Sequence, residues 1–504
     1  MLRNIILIFN TVRYLKLTQI FGRLVFFISK PTPSLKKIPD VRFFSGNWVI
    51  TSCRALSLTG PCEFKFLNET GSLSDVGWDG SLRSKLWRYN QHYFDDLNAS
   101  NANARMVWHL QLIEKWIFDN PPFFGTGWEP YPISLRVVNW IKYYLSGNVS
   151  SDIIRESLAI QIRQLKRSIE WHLLGNHLFA NAKALVFAGL FFDGKEARKW
   201  LNTGLHIISK ELSEQVLADG GNFERSPMYH AIFLEDILDL INLDRAYPGE
   251  IAKEHVFRWR ETASKMLRWL EAMCHPDGEI AIFNDAAIGI APSLSEIRSY
   301  AKRLAIFNDY PVETTGIVSM TQFAESGYIR LDTGNTVALL DVAPIGPDYL
   351  PGHAHADTLS FELSVFGQRV ITNGGTSRYG LGPERLRERQ TVSHSTVEID
   401  GQSSSEVWSG FRVARRAYPF DLAVSECPDV ISVACSHDGY KRLPGKPVHR
   451  RSWRFSTGYM EVVDSVLGGG GLLYRATSCI PMSVLSGLPQ TVFTSIWLMA
   501  GLSW

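Results

Sequence analysis

GYIRLDTGNTVALLDVA, residues 327–343, decides how the chain divides. It reads as a strand, a turn and a strand, and from about Met320 onward apolar residues recur at a period of two. TLSFELSVFGQRVITNGG (358–375) is a second hairpin pivoting at Phe366-Gly367, and STVEIDG (395–401) and VHRRSWRFSTGYMEVVDSVLG (448–468) continue the pattern. Before this point the period is different. From about Asn103 to Phe307, segments such as ARMVWHLQLIEKWIFD (104–119), SLRVVNWIKYYL (134–145), AIFLEDILDLINL (231–243) and RETASKMLRWLEAMC (260–274) space apolar residues by three and four. Short Gly, Pro or Asn interruptions separate them, as in a bundle, solenoid or toroid of antiparallel helices. No fixed-period repeat marks a solenoid. The expected organisation is a basic, amphipathic leading and linking segment over residues 1–85, a helical domain over 86–315 and an antiparallel β-domain over 316–504. The last stretch, ending SIWLMAGLSW (495–504), loses alternation, so the β-domain reads as incomplete or as closing on an unusual final strand.

Composition bounds the function. The 504 residues are 45% apolar and 12% aromatic, enough for large cores and for stacking against sugar rings. A net charge of +2 gives no global attraction to nucleic acid. Six cysteines lie scattered without zinc-finger or CxxC spacing and suggest no disulfide framework. The N-terminal MLRNIILIFNTVRYLKLTQIFGRLVFFISK has apolar runs too short to span a bilayer and no small-residue cleavage site after it. It suits either packing on the first domain or peripheral contact with a membrane surface.

Several loop-to-helix junctions carry candidate chemistry. LLGNHLFANAKAL (173–185) sets Asn176 and His177 at a helix start, where they either hold a carboxylate or serve as an N-cap and a packed ring. GGNFERSPMYHAIFLEDIL (220–238) brings Glu224, Arg225, Tyr229 and His230 to another helix start, as candidates for proton transfer and substrate contact. GTGWEPYPISLRVVNW (125–140) adds Trp128, Glu129, Tyr131 and Arg136, suited to an anionic sugar or, equally, to a core and a solvated face. DGEIAIFNDA (277–286) contributes Asn284 and Asp285.

In the β half, GHAHADTLSFEL (352–363) places His353, His355 and Asp357 at alternate positions, on one face if the strand reaches back through them. TNGGTSRYG (372–380) supplies Asn373, Arg378 and Tyr379, and SHS (393–395) supplies His394. His355 and His394 are able to meet across a sheet, as two metal ligands or as a hydrogen-bonded pair.

GNH, NFERSPMYH, GHAHADTLSFEL, TNGGTSRYG and SHS, in this order from about Trp87 to Tyr459, resemble the heparinase II/III-like polysaccharide lyases, which include alginate lyases. The resemblance implies an α/α toroid (an incomplete α/α barrel) followed by an antiparallel β-sandwich, with an acidic polysaccharide in the cleft between them. It implies β-elimination at a uronic acid. Asn176 or His177 would bind the carboxylate, Tyr229 would act as base or acid, and His353 would complete the proton transfers. It also implies a structural zinc at positions matching His355, Asn373 and His394, with Asn373 where the family's metal-binding members have Asp. No cofactor is required for the chemistry. The family implies a bacterial cell envelope or periplasm, while the N-terminus shows no clear secretion signal. Two other functions compete: a non-catalytic glycan-binding or exopolysaccharide-assembly protein on the same scaffold, and a hydrolase pairing Glu224 with Asp285.

Overall fold

The structure is a computed structural model and describes residues 2–28, 36–148, 150–308, 317–468 and, for the backbone, 471–481. The stretch SIWLMAGLSW and the 315/316 boundary lie outside the described residues.

The helical half is an α/α toroid. Its long helices are Met106–Asp119, Pro130–Leu145, Asp152–Arg167, Gly175–Phe191, Lys195–Gln215, Pro227–Ala246 and Lys253–Ala272. Gly175–Phe191 is apolar on nearly every side and almost wholly buried, as expected of a helix surrounded by others. Residues 36–84 do not form a loose linker. They strap the toroid, with the Arg42 N–H donating to the Phe191 carbonyl at 2.8 Å and Val49 N–H to Asn242 Oδ1 at 3.1 Å. They also form a small antiparallel sheet, Leu58–Gly60, Glu63–Phe66 and Glu69–Ser72, whose Phe66 packs edge-on against Trp87.

Two five-stranded antiparallel sheets follow, each a simple meander. One runs Ser319–Phe323, Tyr328–Asp332, Thr336–Asp341, Phe361–Val365 and Gln368–Ile371. The other runs Pro419–Cys427, Val430–His437, Val448–Ser456, Tyr459–Gly468 and Gly471–Pro481. Ile329, Leu331, Leu340 and Phe361 of the first meet Ile431, Val433, Trp453 and Phe455 of the second, so alternation along the strands builds the sandwich core. The first sheet is buried on its other face too. There Tyr328, Val337 and Leu339 pack on Trp269, Met273 and Phe283 from the helical half. A strand covered on both faces needs no polar side, which is why TVALLD lacks clean alternation.

Two strand expectations change. The strand after GHAHAD begins only at Phe361, because Thr358 and Leu359 form a turn with Leu359 at φ +66°. His353, His355 and Asp357 therefore do not share a strand face: His353 is partly exposed while His355 and Asp357 are buried. STVEIDG is not a strand either. Ser395 Oγ accepts from the Phe361 N–H at 3.0 Å and donates to its carbonyl at 2.6 Å, so a hydroxyl takes the place of a strand's backbone groups.

Candidate active site

Tyr229 stands in the first turn of Pro227–Ala246. The turn is fixed by Ser226, whose Oγ accepts from the Tyr229 N–H at 3.3 Å and donates to the Asp285 carbonyl at 2.6 Å. The Asp285 N–H in turn donates to the His353 carbonyl at 2.9 Å, which ties the helix start to the loop of the β-domain. Tyr229 and His353 thereby come together across the domain boundary, their rings stacked 3.9 Å apart at 14°. The Tyr229 hydroxyl lies 2.8 Å from that of Tyr379. Tyr379 is delivered by a close pass at Gly375 (φ +57°), where a β-carbon would sit 2.2 Å from Ile282 Cγ2 and 2.3 Å from the Ala286 carbonyl oxygen.

His353 Nδ1 is hydrogen-bonded to Glu224, and Nε2 has no partner among the described residues while the side chain is partly open to solvent. This is the arrangement in which a carboxylate fixes the tautomer and leaves the second nitrogen for chemistry. Burial alone would lower the His353 pKa, but the adjacent Glu224 carboxylate outweighs it and holds the value above the ordinary one. Tyr229 is pushed well above 10 by burial, reinforced by Tyr379 and Asp285.

Asn176 opens the helix Gly175–Phe191. Gly175 has φ +53°, and a β-carbon there would lie 2.6 Å from Leu350 and 3.3 Å from Glu224 Oε1, so this helix start abuts the Glu224 loop. The Asn176 side chain is half-buried and makes no hydrogen bond among the described residues. His177 is engaged: Nδ1 lies 3.2 Å from Glu170 and the ring packs 4.4 Å from Tyr131. His177 Nε2 has no hydrogen bond among the described residues, so both side chains stay open to a carboxylate.

Beneath the stack lies a buried ion cluster. Asp285 accepts from His355 Nε2 at 2.7 Å and is held by both terminal nitrogens of Arg385, one of them at 2.7 Å. Burial would raise its pKa, yet His355 and Arg385 hold it well below the usual carboxylate range. Arg385→Ala is expected to lower the unfolding free energy by about 3–5 kcal/mol, because it strands a buried charge. Urea unfolding of both proteins checks this, and an unchanged midpoint would show that His355 alone suffices. Both carboxylates of the hydrolase reading are engaged, Asp285 by His355 and Arg385 and Glu224 by His353.

Other expected substrate contacts, Arg378 excepted, are engaged in structure. Arg136 is fully buried, donating to Gln161 Oε1 at 2.9 Å and to the His92 and Gly127 carbonyls at 3.2 and 2.9 Å. Trp128 is buried in the toroid core, and Glu129 pairs with Lys85 and Tyr89. His230 accepts from the Asn222 N–H at 3.2 Å and donates to the Met266 carbonyl at 2.8 Å, stacked on Trp269. Arg225 (φ +58°) staples the domains by donating to the Ser326 carbonyl at 2.9 Å, while its own carbonyl accepts from Tyr328 Oη at 2.8 Å. Arg378 is exposed and faces Glu384 at 3.6 Å. Sequence reasoning gave Glu224 no role beside His353 and missed Arg385. Adjacency to Tyr229 in NFERSPMY was the available signal for the first, and nothing in PERLRER marks the second.

His355 and His394 meet with ring centroids 5.3 Å apart, across loops and not across a sheet. His394 Nδ1 donates to Asn373 Oδ1 at 3.1 Å. His355 Nδ1, His394 Nε2 and Asn373 Nδ2 are buried without hydrogen-bond partners among the described residues. Burial lowers both imidazole pKa values, and with His355 Nε2 on Asp285 and His394 Nδ1 on Asn373 the opposite nitrogens are left without a partner among the described residues. Two imidazole nitrogens are part of a zinc donor set, the amide adds no charge, and among the described residues no group of three His, Cys, Asp or Glu side chains completes it.

Two family models cover most of the chain, "Heparinase II/III N-terminus" over residues 83–312 and "Heparinase II/III-like, C-terminal" over 318–476. A heparin-sulfate lyase of Bacteroides stercoris is 26% identical over 453 residues, 78% of this chain and 64% of that protein. One from Bacteroides thetaiotaomicron is 30% identical over 338 residues, 58% and 48% of the two chains. The chain thus spans less than two thirds of the length of these relatives. Among solved structures, heparinase III superposes with a TM-score of 0.56 at 22% identity, covering 76% of this chain and 62% of that one. A heparan sulfate lyase mutant from Pedobacter heparinus gives 0.51 at 20%, covering 81% and 67%. These likenesses carry the toroid-plus-sandwich fold, and the paired domain matches carry the lineage: the chain belongs to the heparinase II/III family.

Proposed function

We propose that the protein is a polysaccharide lyase that cleaves a uronic-acid-containing glycan by β-elimination. The observation that carries this is the Tyr229–His353 stack, with Glu224 on one imidazole nitrogen and the other open beside the phenol. The Asn176 amide neutralises the uronate carboxylate, which makes the C5 proton acidic. His353 Nε2 takes that proton, the C5–H electrons form the C4–C5 double bond, the bond from C4 to the glycosidic oxygen breaks, and Tyr229 donates its proton to that oxygen. The raised phenol pKa favours Tyr229 as the acid, and the Glu224-supported imidazole favours His353 as the base. The heparin-sulfate lyases among the relatives support a glycosaminoglycan as the substrate class. The test is incubation of purified protein with heparan sulfate, heparin, chondroitin sulfate, hyaluronan and alginate. Ultraviolet absorbance from unsaturated uronate ends is expected with at least one. Binding without absorbance would assign the cleft to a non-catalytic glycan-binding protein, and new reducing ends without a double bond would assign it to a hydrolase.

A structural zinc, if taken up, would be held by His355 and His394, and it would brace the loops that carry His353 and Tyr379. With an amide at 373, affinity is expected to be weak, and Asn373→Asp should tighten it by supplying a charged oxygen beside two unmoved imidazoles. Equilibrium dialysis against zinc and a chelator compares the two proteins. Stoichiometric, chelator-resistant zinc in the unmodified chain would show that the amide suffices.

A further inference from the structure

Two helices, Leu2–Val12 and Leu17–Ile28, lie ahead of the toroid and are tied to the rest of the molecule on one side only. In the first, Thr11 Oγ1 donates to the Val413 carbonyl at 3.2 Å and accepts from Trp408 Nε1 at 3.1 Å. The turn between them is pinned by Lys16, which pairs with Glu214 and lies over the Tyr349 ring. In the second, Gln19 Nε2 donates to the Tyr349 carbonyl at 3.1 Å, and the Phe26 ring lies 4.4 Å from His172. Gly22 brings this helix so close to the toroid that a β-carbon would sit 3.0 Å from the His172 nitrogen. Gln19, Gly22 and Phe26 are three and four residues apart, which makes them one helix face.

Among the described residues the opposite faces are apolar and uncovered. Ile5, Ile8, Phe9 and Val12 form the i, i+3, i+4, i+7 stripe of the first helix. Leu17, Ile20, Phe21, Leu24, Phe27 and Ile28 form that of the second. Phe9, Phe21 and Phe27 are 65%, 69% and 75% exposed, so these are not inner faces turned slightly outward. Stripes of this extent on a folded surface mark a contact with another apolar phase. Charge distinguishes which one. Residues 1–30 contain five Lys and Arg and no Asp or Glu, and Arg13 and Arg23 are exposed. A second copy on this face would set basic residues against basic residues, whereas an anionic lipid surface complements them. At 11 and 12 residues neither helix reaches across a bilayer.

We propose that the helix pair docks in the headgroup region of an anionic membrane, apolar stripes inward, and so holds the molecule against the lipid surface. The inference is independent of the lyase reading, since it uses none of the residues assigned to elimination.

The test is co-sedimentation of the full chain with vesicles of phosphatidylcholine alone and of phosphatidylcholine mixed with phosphatidylglycerol. Binding at least about tenfold stronger to the anionic vesicles, weakening as salt is added, is expected. Phe9→Ser, Phe21→Ser and Phe27→Ser together should abolish it, while Arg13→Gln with Arg23→Gln should remove the preference for anionic lipid. No binding to either vesicle would overturn the proposal, as would equal binding to both. A dimer in sedimentation velocity that the triple variant dissociates, with no vesicle binding, would give the face to a second copy.

Discussion

Tyr229→Phe is expected to leave the fold and most of the substrate affinity in place and to lower turnover by about a hundred- to ten-thousand-fold, the loss typical of a general acid or base. One oxygen is removed from a ring of nearly the same shape. The stack on His353 at 3.9 Å persists, because it involves the ring face. The Ser226 cap persists, because it uses the Tyr229 backbone N–H. Asn176 still holds the carboxylate, so the loss falls on kcat and KM changes little. What disappears is the proton for the departing oxygen, together with the 2.8 Å contact to Tyr379. Tyr379→Phe provides the control: it removes the same contact but not the donor, and it should cost far less. Equal elimination rates for wild type and Tyr229→Phe would leave Tyr229 a packing residue at a helix start and make Tyr379 the next candidate. His230, sealed between Met266 and Trp269, is not available for that role.

The change of period near residue 320 made the helical and β halves legible, because each half buries its apolar residues at the spacing its backbone imposes. Closure of the helices into a toroid was not legible from spacing. It depends on contacts far apart in sequence, such as the strap from Arg42 to Phe191. At the site, Tyr229, His353 and Tyr379 stood out because polar aromatic groups beside Gly and Pro turns are placed by rigid scaffold edges. The same criterion misread Arg136 and His230. Each sits near a helix start, and each is buried with its hydrogen bonds committed to backbone and amide groups. Local sequence does not separate a polar side chain that ties helices together from one that faces a ligand. Glu224 shows the converse: its role beside His353 exists only because a loop 129 residues later folds back onto it.

His353→Ala is expected to cost about as much as the loss of Tyr229's hydroxyl, roughly a hundred- to ten-thousand-fold in turnover, since it removes the base from the same step. Truncation also removes the ring that Tyr229 stacks on, so a rate loss alone does not separate base from scaffold. Glu224→Gln does. The amide retains the shape of the carboxylate and leaves the imidazole in place, but it removes the charge that holds the His353 pKa above its ordinary value. A base acts unprotonated, so the rate of the unmodified enzyme climbs with pH as His353 loses its proton. Without the Glu224 charge that proton leaves at lower pH, and the rising limb shifts in the acid direction. The plateau should fall by about ten- to a hundredfold, because a less basic imidazole accepts the C5 proton less readily and its tautomer is no longer fixed. A residue that merely packed beside His353 would lower the rate at every pH by one factor and leave the limb where it was. Identical limbs in the two proteins would therefore remove His353 as the base and leave it as the platform on which Tyr229 is held.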